Sequence, residues 1–203
     1  MKSICGLLLG LFLGTAPGQT RDATLAKIRS LGEQGGFSEA AAPLREILAN
    51  PRDALRQQAL YQLARDWMRE FRFEAAVWVF DEFRRASPES FYNWMNYSLS
   101  LRQSGKNEES ERVLREAIAK FPSQGILHDE LGLLYQALGK DELAVEEFRA
   151  AKEQGAWDAA ENLVILRMLR KDRGAAKQVL DEVLHQDSSR SRARELFGFL
   201  NLD

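Results

Sequence analysis

The stretch Gly125–Asp158, GILHDELGLLYQALGKDELAVEEFRAAKEQGAWD, decides the fold. It carries Leu131, Gly132 and Tyr135 at helical spacing, then the turn Ala137-Leu-Gly-Lys-Asp141, then Ala144, Phe148 and Ala151 at the same spacing. Gly139 stops the first helix, and the second begins at once. Two short helices joined this tightly must run antiparallel. Neither can bury its apolar face alone, so the pair needs neighbours.

Those neighbours are found by stepping 34 residues along the chain. Ala76, Ser110 and Ala144 are spaced by 34, as are Phe80, Leu114 and Phe148, and Pro88 and Pro122 keep the same step. The unit at 57–90 supplies Leu60, Leu63, Ala64, Trp67, Ala76, Phe80 and Pro88. The unit at 91–124 supplies Trp94, Tyr97, Ser98, Leu101, Gly105, Ser110, Leu114 and Pro122. Two outer units, 21–56 and 157–188, fit less closely, the first through Leu31, Gly35, Ala40, Leu44 and Ile47 and the second through Leu163, Ala176, Leu180 and Val183.

The pattern His128-x2-Leu131-Gly132-x2-Tyr135, with Ala144-x3-Phe148 following, resembles the tetratricopeptide repeat family, whose period is 34 residues. It departs from the family at His128, where a tryptophan-like residue is usual, and at Ala156, where a proline closes the unit. The resemblance implies an all-α, right-handed solenoid of about five antiparallel helix pairs, spanning residues 19–190. Residues 191–203, with Ala193, Leu196, Phe197 and Leu200 at helical spacing, read as a capping helix over the fifth pair. The first pair, Gly-rich around Gly32–Gly36, reads as a terminal unit with a short, polar first helix.

Residues 1–18 have the layout of a signal peptide: Lys2, an apolar run from Ile4 to Leu13, then Ala16-Pro17-Gly18 ahead of a cut before Gln19. The run falls short of the roughly 20 residues that a spanning helix requires. A periplasmic or secreted protein is expected, touching a membrane only if the signal stays uncleaved. The single cysteine, Cys5, lies inside that run, so the mature chain has no disulfide.

Basic and acidic residues, 28 and 30, are nearly balanced and interspersed, which argues against nucleic acid as a ligand. Arg190–Arg194 is locally basic and reads as a solvated helix face. The two histidines stand apart with no cysteine beside them, so no metal site or cofactor is expected. His128 reads as a hydrogen-bonded packing residue and His185 as an exposed one. There is no nucleophile elbow and no phosphate-cradling loop, and adjacent carboxylates such as Glu146 and Glu147 point apart on a helix. No enzyme activity is expected.

The function expected from the resemblance is protein binding, with a peptide or helical segment held in a concave groove lined by the first helix of each pair. Carried onto this sequence, the family's groove positions include Tyr61, Gln62, Arg65 and Arg69, then Tyr92, Met95, Asn96, Leu99 and Arg102, then Asp129, Glu130 and Leu133. An apolar strip flanked by arginines at one part and carboxylates at another suits such a partner. Phe71, Phe73 and Trp78 form a candidate second surface. A homodimer through the Trp78 face or the C-terminal helix is the alternative.

Overall fold

The computed structural model describes residues 17–200. Most of the expected signal peptide and the last three residues of the chain lie outside that range. Among the described residues there are eleven α-helices, one short 3-10 turn (Pro51–Asp53) and no strand. The helices are α1 (Pro17–Glu33), α2 (Phe37–Ala49), α3 (Ala54–Arg69), α4 (Phe73–Ala86), α5 (Phe91–Gln103), α6 (Asn107–Lys120), α7 (Gly125–Ala137), α8 (Asp141–Glu153), α9 (Trp157–Leu169), α10 (Arg173–Gln186) and α11 (Ser191–Leu200). The all-α expectation of helix pairs is met. One local expectation is not: α1, read as short, has 17 residues. Gly32 stays inside it, buried, and the chain turns only at Gly35.

The chain divides into two compact units between Leu63 and Ala64, inside α3. In the first, α1 packs on α2 and Ile28, Ala40, Leu44, Ile47 and Leu60 are buried to within 1% of full. The carboxyl end of α2 leaves carbonyls that no helical N–H can reach. Gln57 supplies the missing donor, its Nε2 reaching the carbonyls of Ile47, Leu48 and Asn50 at 3.0, 3.3 and 2.9 Å.

In the second unit each helix from α4 onward packs against the next, and the first helices also touch one another, α5 on α7, α7 on α9 and α9 on α11. Small residues set the helix spacing within a pair. A Cβ on Gly132 would stand 2.6 Å from two ring carbons of Phe148, so α7 and α8 close to a distance that only glycine allows. In the pair before it the same place is Ser98, whose carbonyl accepts from the buried Ser110 hydroxyl at 2.8 Å. His128 bonds Glu147 through Nδ1 at 2.7 Å, a polar contact that joins α7 to α8. Between α6 and α7 the Tyr135 hydroxyl donates to Glu111 at 2.9 Å and accepts from Arg115 at 2.6 Å. Burial, then the Glu111 bond, pushes that phenol up to about 12.

Every pair turns through the same device. The second residue after the first helix takes a left-handed conformation, and the next N–H reaches back five residues, as in Lys106 to the Leu101 carbonyl and Lys140 to that of Tyr135, both 2.9 Å. Gly105 and Gly139 provide the positive φ at no steric cost, but Phe71 and Lys171 hold φ 61° with side chains attached. Their backbone bonds, Arg72 to Trp67 at 2.8 Å and Asp172 to Arg167 at 2.9 Å, keep the turn in place.

Candidate protein-binding face

Most residues of the second unit that were expected to line a groove lie on the neighbouring helices α5 and α7, and Arg65 and Arg69 lie on α3. Tyr92 is 54% exposed, with its ring 4.0 Å from that of Phe91. One turn and two turns further along α5, Met95 and Leu99 are half-buried, and Leu133 is half-buried on α7. Tyr92, Met95 and Leu99 follow one another along α5 at helical spacing, and α7 packs beside α5. On α5 the Asn96 amide donates to the Tyr92 carbonyl at 2.7 Å. Arg65 and Arg69 are exposed on α3, Arg69 paired with Asp66 at 2.7 Å. Tyr61 and Gln62 belong to the first unit, Tyr61 half-buried and Gln62 exposed.

The charged residues of the set are tied to one another across repeats. Arg102 of α5 pairs with Glu130 of α7 at 3.3 Å, both largely shielded from solvent. Asn162 of α9 donates to Asp129 of α7 at 2.9 Å, and Arg192 of α11 donates to Asn162 at 3.2 Å. Glu161, 3% exposed, takes Arg190 at 3.1 Å and lies 3.7 Å from Arg192, while Arg190 also reaches Asp158 at 2.7 Å. A polar ladder thus links α5, α7, α9 and α11. Burial raises the carboxyls of Asp129 and Glu130, and the bonds from Asn162 and Arg102 offset part of that rise.

Sequence reasoning missed the far half of this ladder. Glu161 and Asn162 occupy the fifth and sixth places of the fifth pair, where Asp129 and Glu130 stand in the fourth, so extending the same register by one unit finds them. Arg190–Arg194 reads as a solvated face, and Arg192 and Arg194 are exposed, but Arg190 and Arg192 also lie against the buried Glu161 carboxylate, because α11 packs on α9.

At the second surface, Phe71 is 79% exposed and meets Phe73 edge-on at 5.9 Å, whereas Phe73 and Trp78 are half-buried. Among the described residues no cluster of His, Cys, Asp and Glu could hold a metal ion, and no helix is long and apolar enough to cross a membrane.

No protein-family model and no curated protein matches the sequence. Solved structures do. The thermophilic TPR protein TTC0263 of Thermus thermophilus aligns with a TM-score of 0.62 and 21% identity over 89% of this chain and 98% of its own. PilF of Pseudomonas aeruginosa gives 0.57 and 20% over 90% and 83%, and MamA (residues 41 to the end) of Desulfovibrio magneticus RS-1 gives 0.56 and 19% over 87% and 99%. At these identities the likeness is one of fold, and the fold is of the tetratricopeptide type.

Proposed function

We propose that the chain is a non-enzymatic scaffold, exported to the periplasm or beyond, that holds a peptide or helical segment of a partner protein in the assembly of an envelope or secretion complex. The observation that carries this reading is the set Tyr92, Met95, Leu99 and Leu133 on adjacent first helices, flanked by the ladder that fixes α5 and α7 side by side. An exposed aromatic ring beside half-buried apolar side chains on a rigid support is what a protein partner uses as an anchor. The ladder keeps the support from rearranging, so little ordering is required on binding. Export rests on the layout of residues 1–18.

The test compares the exported wild-type chain with a Tyr92→Ala, Met95→Ala, Leu99→Ala variant of unchanged helical content, by crosslinking and co-purification from the envelope fraction. A partner lost from the variant alone is the expected outcome. Identical partners in both would move the function off this face. Amino-terminal sequencing of the recovered protein should begin at Gln19, and a chain that starts at Met1 in the cytoplasm would overturn export.

A further inference from the structure

α11 docks as though it were the first helix of a sixth pair. Its third residue, Ala193, is buried, as are Asn93, Leu127 and Ala159 at the third place of α5, α7 and α9. Leu196 and Leu200 pack with it on the core made by Ala160, Val164, Ala176, Leu180 and Val183. That accounts for one side of the helix.

The other side is the one that each first helix turns toward its own second helix, through its fourth, seventh and eighth places. His128 meets Glu147 from the fourth place of α7, and Tyr97 meets Glu109 at 3.0 Å from the seventh of α5. Ser98 and Gly132, at the eighth, receive Ser110 and Phe148. In α11 these places are Arg194, Phe197 and Gly198. Nothing lies within 4 Å of where a Gly198 Cβ would stand, whereas the Gly132 site is filled by the Phe148 ring. Phe197 is 37% exposed, against 6% for Tyr97 and 1% for Leu131 and Leu163. Arg194 is exposed and bonds the Ser189 carbonyl at 3.2 Å.

We propose that this side of α11 is a seat for an amphipathic helix of a partner protein, which supplies the second helix of a sixth pair. The register states the chemistry of the occupant. On α8 the residues that seat on α7 are Glu147 and, beside it, Phe148. An arginine at the fourth place selects a carboxylate, because that bond is charged on both sides. The open glycine receives the large apolar side chain. A second copy of α11 would bring an arginine and a glycine to places that call for a carboxylate and a large apolar group, so a partner helix fits the seat better. This seat is separate from the strip on α5 and α7, and the two readings stand or fall apart.

The probe is a labelled synthetic peptide of the α8 sequence, residues 141–153 with blocked ends, titrated against the full chain by fluorescence anisotropy. Saturable binding to wild type is expected, weakened about tenfold or more by Gly198→Leu, which fills the seat, and by Arg194→Glu. A peptide carrying Glu147→Lys should recover binding to the Arg194→Glu chain. Circular dichroism of both variants checks that they are folded. Absent binding to wild type, or equal binding to all three chains, overturns the proposal. So does a wild-type dimer in sedimentation that Gly198→Leu disperses, which would assign the seat to a second copy. The Tyr92→Ala, Met95→Ala, Leu99→Ala variant should bind the peptide like wild type, and a loss there would move the peptide to the strip and leave the function proposed above intact.

Discussion

α7 and α11 occupy the same place two repeats apart and use the same inner side, yet one is sealed by a second helix and the other is not. On α7 the eighth place is a glycine pressed against Phe148, and on α11 it is a glycine facing open space. The residue type is shared, but the physical meaning is opposite. A glycine in a closed pair is a packing requirement, whereas a glycine on an open helix is a loss of helix stability that no contact in the described structure offsets.

The largest effect should come from emptying the sealed side. Phe148→Ala removes a fully buried ring and is expected to destabilise the chain by about 3–5 kcal/mol in thermal or urea unfolding. Gly132→Ala should cost about 1–3 kcal/mol by forcing a methyl into the ring. Combined with Phe148→Ala it should cost nothing further, because the atom it strikes is gone. Additive losses would show that the close approach of α7 and α8 is not what glycine serves.

The matching substitution on α11 should reverse the sign. Gly198→Ala has room for its methyl and replaces the poorest ordinary helix former by the best, so a gain of about 0.5–1 kcal/mol is expected. A loss at Gly198 as large as that at Gly132 would mean the α11 side is already filled, and the comparison between the two helices would fail.

How far the sequence discloses this follows from where the signal resides. Periodic landmarks such as Ala144, Phe148, Leu114 and Phe80 report burial directly, because only buried apolar positions must recur with the helix pair. Gly132 is legible for the same reason. Gly198 is not, since its significance is the helix that does not cover it, and no residue spacing records an uncovered face. Charged residues mislead in another way. Arg102, Asp129 and Glu130 map to partner-facing places, but whether they await a partner or bond each other depends on side-chain reach across α5, α7 and α9. Phe71 shows a third limit: the turn signal is glycine, and the backbone bonds hold a phenylalanine in the same conformation.

The sixth place gives the finest comparison of the two helices. On α11 it is Leu196, packed on the core, and on α7 it is Glu130, paired with Arg102. Burial raises the Glu130 carboxyl above its ordinary 4.5, against the pull of Arg102 and with the help of Asp129. Between 4.5 and that raised value the folded chain holds more protons than the unfolded one. The Glu130 contribution to stability therefore grows as pH falls through the folded value and is complete below the unfolded one. Glu111 runs the other way: burial works to raise it, but the bonds from Tyr135 and Arg115 outweigh burial and hold it low, so its contribution is lost in acid. Comparing wild type with Glu130→Gln by urea unfolding isolates the Glu130 contribution. The difference should move in favour of wild type as pH is lowered from neutrality to 4.5. Leu196→Ala, with no proton to exchange, should shift stability by the same amount at every pH. If the Glu130→Gln difference is also flat, Glu130 is solvated like an ordinary surface carboxylate, and the ladder that holds α5 against α7 is not shielded as the structure places it.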